Sequence, residues 1–455
     1  QNIGLVNLDC GNDIWESFDN TNQLTNLDLS QNINLTSINC YGNSLSNLDL
    51  RNGNNTNIGY FNSGNNNSLY CISVDDSSWA TANLTISNQT IFSNNCNNLQ
   101  YTLIPDSIFE QRLIDLGYDN IHDGQVLTAN ISSIDSLDIS ANSNEGIEDL
   151  SGIEDFSALT YLNCGLNKLT SLDVSNNTAL TYLNCAGQHL FSSNIGLNNL
   201  NLSQNNLLET LICDYNPLTS LDVSNNTALK YLSCGDNDQL TSLDVSNNTA
   251  LTFLNCRGLQ QINPSLIGGL TSLDLSQNNS LDTLICDLNQ LTSLDVSQNT
   301  SLKILSCSRN NLTSLDVSQN PNLTSLYCWS NQLNILDVSQ NTSLKILSCS
   351  FNNLTSLDLT QNSVLTYFFC SYNSLMSLDL RNGNNINFTG FNATNNDSLY
   401  CISVDDSAWS ANNWTDIDSH TSFSNDCNPS SVEIIEIEKN LSVYPNPTNE
   451  NITIS

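Results

Sequence analysis

The sequence has few basic residues: 10 Lys and Arg stand against 45 Asp and Glu, for a formal net charge of −35 over 455 residues. Nucleic acids and anionic membranes bind proteins through basic patches, so this balance argues against both kinds of partner. No apolar run approaches the ~20 residues that span a bilayer, so we expect no transmembrane segment. No signal peptide is visible. Residue 1 falls inside a repeat, and we expect it to be a mature or truncated end.

Histidine is also scarce, which limits the scope for catalysis. The three histidines, His122, His189 and His420, lie in irregular segments away from any nucleophile motif. The chain lacks a Gly-x-Ser-x-Gly elbow, a phosphate loop and any recognised metal-ligand spacing. Carboxylate pairs are so numerous that no single pair indicates acid–base chemistry. We therefore expect no enzyme activity in this chain and no bound cofactor.

Cysteine, in contrast, is abundant and regularly spaced. The 16 cysteines include a series from Cys164 onward with gaps of 21, 28, 21, 22, 30, 21, 21, 21, 21 and 31 residues. Such regularity marks a structural repeat, in which the small cysteine fills a buried slot. Equivalent cysteines on adjacent turns would lie ~4.8 Å apart with parallel side chains. That orientation suits a disulfide poorly, so we expect the ladder thiols to be free.

The 21-residue unit consists of two similar halves. "LTYLNCGLNK" (159–168) and "LTSLDVSNNTA" (169–179) share their Leu and Asn spacing, with Cys in one half and Val in the other. Each half alternates apolar residues with the period of a strand. The inward Asn167 and Asn177 can satisfy the backbone of neighbouring turns. The pattern predicts a β-rich solenoid with short parallel strands on both sides of each coil and little helix.

The nested pattern LxxLxLxxNx resembles the bacterial leucine-rich-repeat proteins that are secreted or displayed at the cell surface. The resemblance covers roughly residues 1–96 and 134–427 and implies two consecutive repeat runs, the first incomplete at its N-terminus.

Two long segments of the chain are near copies of each other. Residues 48–79 recur as 378–409, and the copies lead to "FSNNC" (92–96) and "FSNDC" (423–427). A solenoid needs an end that covers its last apolar face, so we predict that each copy is a C-terminal cap. Cys96 and Cys427 fall outside the ladder. We predict that they pair with Cys71 and Cys401; the alternative is that all four are packed thiols.

The segment 97–133 is predicted to be a linker and the N-terminal cap of the second run. Leu113 and Leu116 have helical spacing and Gly117 is a plausible helix stop. The segment resembles N-terminal caps of bacterial leucine-rich-repeat proteins. Asp119 and Asp123 faintly resemble a calcium loop, but an isoleucine stands at the third ligand position, so a capping turn is favoured.

The C-terminal end is predicted to comprise a linker (428–440) and the start of a truncated domain (441–455). "SVYPNPTNENITIS" resembles the opening of the type A sorting domain of type IX secretion. The resemblance implies that the secretion machinery is a partner and that a Gram-negative bacterium exports the protein, which is then attached to its surface or released. Asp-Ser/Thr-apolar triplets resemble the O-glycosylation motif of such bacteria. The candidate sites are Ser107, Ser136, Thr283, Ser398 and Ser407.

One side of the coil reads Ser-Leu-Asp-Val-Ser almost without change. It should form a column of carboxylates, interrupted by Asn201: Asp173, Asp222, Asp244, Asp274, Asp295, Asp316, Asp337, Asp358 and Asp379. At ~5 Å in water neighbouring charges repel by ~0.8 kcal/mol, which is tolerable. We favour a solvated face; the alternative is that Ca²⁺ bridges adjacent carboxylates.

The Cys side varies at its outward positions, where aromatic residues concentrate. Exposed rings in a row fit a binding surface; the alternative is that they pack against one another. Insertions near 187–199 and 258–270 could wall part of this face. The candidate binding residues are Tyr161, Tyr182, Tyr231, Phe253, Arg257, Tyr327, Trp329, Tyr367, Phe369 and Tyr372.

These observations favour a secreted or cell-surface recognition and adhesion protein that binds a protein or a glycan through the variable face. The alternatives are a structural spacer or surface-layer component with a cation-bridged Asp face, and a binding module of a larger enzyme.

Overall fold

The computed structural model describes residues 3–12, 23–86, 90–96, 100–141, 146–187, 196–237, 239–258 and 269–427. By their contacts the residues form two compact units. The first extends to residue 281 and includes 288–290; the second contains 282–287 and the chain from 291 on. The domain boundaries at 96, 133, 427 and 440 stay a prediction. Residues 428–440 and 441–455 lie outside the described residues.

The first unit begins with coils whose strands form two parallel sheets, ordered β1-β3-β5 and β2-β4-β6-β7. Leu, Ile and Cys side chains from both sheets meet in one buried core. Helix α1 follows β6, and the carboxylate of Asp76 caps it by accepting from the N–H of Trp79 at 3.1 Å. The elements are β1 (Asn7–Asp9), β2 (Asn26–Asp28), β3 (Ser37–Asn39), β4 (Asn47–Asp49), β5 (Tyr60–Asn62), β6 (Cys71–Ser73), α1 (Ser77–Asn83) and β7 (Ile91–Ser93).

Next comes a segment that departs from the repeat. Its elements are β8 (Tyr101–Leu103), α2 (Ser107–Asp115), β9 (Gln125–Leu127) and α3 (Thr128–Ile131), with β8 and β9 antiparallel. Asp106 caps α2 by accepting from two backbone N–H groups. Gly117 follows the helix with φ +80°, the left-handed conformation that glycine adopts readily, so the predicted helix and its stop are both present.

The second series of coils in this unit contributes strands that pair in parallel, in chain order and in register. The central leucine of each three-residue strand is buried, and so is the cysteine that follows the strand in the coils from β11 on. The strands are β10 (Ser136–Asp138), β11 (Tyr161–Asn163), β12 (Tyr182–Asn184), β13 (Thr210–Ile212), β14 (Tyr231–Ser233) and β15 (Phe253–Asn255). A 3₁₀ helix spans Ile153–Asp155.

The second unit continues the pattern with strands that pair in the order β16-β17-β18-β19-β21-β23, and with a second parallel sheet, β20-β22-β24-β25. Its elements are β16 (Thr283–Ile285), β17 (Ile304–Ser306), β18 (Ser325–Tyr327), β19 (Ile346–Ser348), β20 (Ser356–Asp358), β21 (Tyr367–Phe369), β22 (Ser377–Asp379), β23 (Gly390–Asn392), β24 (Cys401–Ser403), α4 (Ser407–Asn413) and β25 (Ser422–Ser424). The architecture is a parallel β-solenoid with little helix, as predicted. The cap role of 48–96 and 378–427 stays a prediction.

The prediction of strands on both sides of each coil is wrong for most coils, because the two sides differ in strand content. From residue 159 on, the Cys side forms a strand in each described coil. Among the described residues of that stretch, the Asp side has only an isolated bridge between Asp173 and Asn201 until β20 begins. Side-chain amides join the coils on the Asp side: the Nδ2 of Asn205 donates to the Val174 carbonyl at 3.0 Å. This bond repeats from coil to coil.

Candidate recognition surface

The outward positions of the Cys-side strands form columns because adjacent strands pair in register. Tyr367 pairs with Ile346, and Phe369 pairs with Ser348, while the intervening Phe368 is buried. Of the predicted binding residues, Arg257, Tyr367 and Tyr372 are exposed. The half-buried ones are Tyr161, Tyr182, Tyr231, Phe253, Tyr327, Trp329 and Phe369. All ten therefore reach the surface, on the side of the coil where the sequence varies.

Several of these rings stack on one another. The ring centroids of Tyr161 and Tyr182 are 4.4 Å apart, and those of Tyr231 and Phe253 are 4.1 Å apart with nearly parallel planes. Stacking covers one face of each ring and holds it in a single orientation. The surface thus offers rigid aromatic contacts that lose little conformational entropy when a partner binds.

In both units a further column lies just beyond the strands, two residues after eight of the ladder cysteines. Its members have a left-handed backbone, with φ between 54° and 60°. They are Leu166, Tyr215, Asp236, Leu288, Arg309, Ser330, Phe351 and Tyr372. Bulky side chains rarely adopt this conformation, which costs roughly 1–3 kcal/mol when glycine or asparagine is not used. We call these residues the left-handed column.

Large apolar side chains in this column point to solvent. Leu166, Phe351 and Tyr372 are about half exposed, at 47%, 49% and 50%. Phe351 and Tyr372 stack with their centroids 4.3 Å apart, and the rings of Tyr367 and Phe369 contact each other at the same distance but are tilted by 50°. These four rings form the aromatic patch of the second unit. Phe351 was not among the predicted binding residues because it falls outside the strand alternation; the sequence signal for it is a bulky residue before the ladder asparagine in "CSFN".

The same column carries an arginine that is held in place. The guanidinium of Arg309 lies 4.7 Å from the ring centroid of Trp329, a cation–π contact. Two lysines on this side face carboxylates, Lys230 with Glu209 at 2.8 Å and Lys303 with Asp282 at 3.3 Å. In a chain with a net charge of −35, these cations make the variable side less acidic than the Asp side.

One carboxylate on the variable side is buried. Asp214 accepts hydrogen bonds from the Ser233 hydroxyl and the Gly235 N–H, both at 2.8 Å, and from the Asn255 amide at 3.2 Å. Burial nevertheless raises the pKa of Asp214 above its usual range. Because these hydrogen bonds tie three coils together, this carboxylate has a structural explanation.

The Asp column on the opposite side consists of local turns. Asp316 accepts from the N–H of Ser318 at 2.9 Å, and the same bond recurs along the column. Asn201, which interrupts the column, accepts from Ser203 in the same way at 3.1 Å. The turn requires an oxygen acceptor and not a charge. Across the part of the chain that the structure describes, no group of three or more His, Cys, Asp or Glu could hold a metal ion.

The remaining predicted sites are placed as follows. Disulfides join Cys71 to Cys96 and Cys401 to Cys427, while the described ladder cysteines are not in disulfides. Among the O-glycosylation candidates, Ser107, Ser136 and Ser398 are exposed, and Thr283 and Ser407 are half-buried.

The insertions begin at two equivalent glycines. A Cβ on Gly187 would overlap the carbonyl oxygen of Tyr215, and one on Gly258 would overlap that of Leu288. Both carbonyls belong to the left-handed column, so the insertions leave the solenoid beside that column. Their central parts, 188–195 and 259–268, lie outside the described residues.

Comparison with known proteins identifies the class. The functional domain of InlJ from Listeria monocytogenes, described as including a cysteine ladder, is 32% identical with a TM-score of 0.53; the match covers 67% of this chain and 76% of that one. The internalin InlF from Listeria monocytogenes is 22% identical with a TM-score of 0.51, and the match covers 72% and 96%. The chain belongs to the bacterial leucine-rich-repeat proteins.

No family model matches the sequence, and no curated protein matches it. The helices in the described ranges are all too short or too polar to cross a bilayer.

Proposed function

We propose that this chain is a secreted or cell-surface recognition protein that binds a partner through its variable side. The observation that carries the proposal is the left-handed column. Exposed Leu166, Phe351 and Tyr372 occupy backbone positions where glycine or asparagine would be more stable. Exposing large apolar side chains at an energetic cost has no benefit for folding, whereas a partner that covers them recovers the apolar contact.

A protein partner fits better than a glycan, though both belong to the proposal. Stacked rings such as Tyr231 and Phe253 present their edges, because each covers a face of the other. A sugar ring stacks its apolar C–H face on an open aromatic face, and stacking leaves each of these rings at most one such face, while the edges of a ring row suit the side chains of a protein. Membership of the bacterial leucine-rich-repeat class is consistent with recognition.

Extracellular placement, export by type IX secretion and O-glycosylation are parts of the same proposal. They are supported by the motif in 442–455, by the five Asp-Ser/Thr-apolar triplets and by the two disulfides, since disulfides persist in oxidising compartments. The absence of enzyme activity is proposed as well, on the scarcity of histidine and of catalytic motifs.

The test compares two variants of the full chain on an array of bacterial surface proteins and glycans. The first replaces Phe351, Tyr367 and Tyr372 by Ser; the second replaces Asp295, Asp316 and Asp337 by Asn. We expect the aromatic variant to lose array binding by at least about tenfold and the Asp variant to retain it. Circular dichroism should be unchanged in both. Binding lost only in the Asp variant would favour the cation-bridged structural face.

A further inference from the structure

The two near-identical end segments allow an internal comparison. Each contains a tyrosine directly before a disulfide cysteine, Tyr70 before Cys71 and Tyr400 before Cys401. The strands around them also correspond, with β4-β6-β7 in one segment and β22-β24-β25 in the other. Differences at the two tyrosines therefore reflect what each segment contacts.

Tyr70 is covered by the chain that follows its own disulfide. Its ring lies edge-on to Tyr101 with the centroids 6.1 Å apart, and its hydroxyl donates to the carboxylate of Asp123 at 3.2 Å. Burial is the main cause that raises the pKa of Tyr70. Tyr101 opens β8 and lies five residues after Cys96, so a residue shortly beyond the disulfide contacts this tyrosine.

Tyr400 has no such cover among the described residues. Its side chain is 66% exposed and contacts the ring of His420 at 5.2 Å. Met376, 65% exposed, lines the same groove of about 570 Å³ as Tyr400, Arg381 and the Cys401–Cys427 disulfide. In the first segment the position of Met376 is held by Ser46. The second surface thus has one more exposed apolar side chain than the first and is the less covered of the two.

We propose that the surface around Tyr400 and Met376 is a docking site for the chain that directly follows Cys427. The fifth residue after Cys427 is Val432, which opens the stretch "VEIIEI" (432–437) with four apolar side chains in six residues. Its position relative to the disulfide matches that of Tyr101 in the first segment. Docking of 432–437 covers the exposed Tyr400 and Met376. It also holds the chain that precedes residue 441 against the solenoid.

Hydrogen exchange on the full 455-residue protein tests this. We compare the wild type with Tyr400→Ser/Met376→Ser, and use Tyr372→Ser, an exposed tyrosine of the variable side, as the matched control. Amides of 430–438 should exchange at least about tenfold faster in the double variant than in the wild type or the control. Equally fast exchange in wild type and double variant would overturn the proposal.

A reciprocal variant guards against an indirect effect of the double substitution. Ile434→Asp/Ile435→Asp should increase the rate at which Tyr400 is nitrated, whereas nitration of Tyr70 should not change. Protection of 430–438 that appears only at high protein concentration would identify a second copy as the occupant and would also overturn the proposal.

Discussion

The solenoid has one ladder of buried asparagines on each side, and the two ladders differ in the hydrogen bonds that each asparagine makes. On the Cys side, Asn331 donates to the carbonyls of Cys307 and Cys328 at 3.0 and 3.1 Å and accepts from the N–H of Leu312 at 3.1 Å. On the Asp side, Asn341 donates to the carbonyls of Val317 and Asn320 at 2.9 and 2.8 Å. Its buried Oδ1 has no donor among the described residues.

This difference shows where the coils are joined most strongly. The Cys side combines a strand ladder with asparagines whose amides are fully used, whereas most coils of the Asp side rely on the Nδ2 donors alone. An unsatisfied buried oxygen costs about 1–3 kcal/mol, so each Asp-side asparagine contributes less than its Cys-side counterpart. The variable side is therefore also the rigid side, which suits a surface that must hold exposed rings in place.

The largest expected effect comes from removing one asparagine from each ladder. Asn331→Ala leaves the Leu312 N–H without its acceptor, while the Cys307 and Cys328 carbonyls each lose one bond but keep a second asparagine donor; it should lower the free energy of unfolding by about 2–3 kcal/mol. Asn341→Ala removes an unsatisfied oxygen and leaves the Val317 and Asn320 carbonyls their backbone donors, so its loss should be about 1 kcal/mol. Urea unfolding of both variants measures this, with the m-value checked for a change in cooperativity. Equal losses would contradict the ranking.

A second comparison concerns thiol reactivity along the Cys side. Burial raises the pKa of the Cys328 and Cys349 thiols well above the usual range, and that of Cys40 to about 12. Cys10 is only half-buried. At pH 8 we expect an alkylating reagent to modify Cys10 on the order of a hundredfold faster than Cys328, because the reactive thiolate of Cys328 is suppressed. Peptide mapping by mass spectrometry gives the ratio of the two rates. Comparable rates would mean that the ladder cysteines are accessible to the reagent.

The Asp side should respond to acid. The N–H and hydroxyl of Ser318 and Ser339 hold the pKa of Asp316 and Asp337 below the unfolded value of 3.8. A lowered folded-state pKa stabilises the protein above about pH 4, and this contribution is lost as the pH falls through the folded value. Asp295→Asn/Asp316→Asn/Asp337→Asn should therefore flatten the fall in Tm below pH 4. Burial raises the pKa of Asp119 to about 6, so its effect on stability in acid is opposite to that of the Asp column. This effect is the same in the wild type and in the triple variant. An unchanged acid profile would refute this contribution.

The smallest effect separates charge from hydrogen bonding in the Asp column. Asp316→Asn keeps the oxygen that accepts from Ser318, as Asn201 does naturally, and should change the free energy of unfolding by less than about 0.3 kcal/mol. Asp316→Ala removes the acceptor and should cost up to about 0.5 kcal/mol. Thermal unfolding at pH 7 can rank the two. A larger loss for Asn than for Ala would show that the carboxylate charge itself is needed.

Much of the fold could be predicted from the sequence because its packing is periodic. The Leu, Cys and Asn slots recur at fixed spacing, so their burial follows from the repeat alone, as does the ladder geometry of Asn177 and Asn205. The shortage of strands on the Asp side could not be predicted. Its sequence alternates apolar and polar residues just as the Cys side does, so the alternation alone does not distinguish a side with strands from a side without them.

The candidate surface was predicted in part. Tyr367 and Phe369 follow from strand alternation, since residues on either side of a buried one must face outward. Phe351 and Arg309 were not predicted, because the direction of their side chains depends on a left-handed backbone. The sequence indicates such a backbone only when glycine or asparagine occupies the position.

The reach of the ladder asparagines has a consequence for how such a gene can change. Asn331 and Asn341 each bond only to their own coil or the preceding one, and the next coil repeats both partners 21 residues later. Excising or duplicating one whole repeat in the gene rejoins equivalent partners, whereas an excision that removes part of the bonded segment of a coil mismatches the partners at the junction it creates. Unequal recombination between repeats can therefore lengthen or shorten the variable side in single steps. Each product keeps its asparagine hydrogen bonds between coils without a compensating substitution.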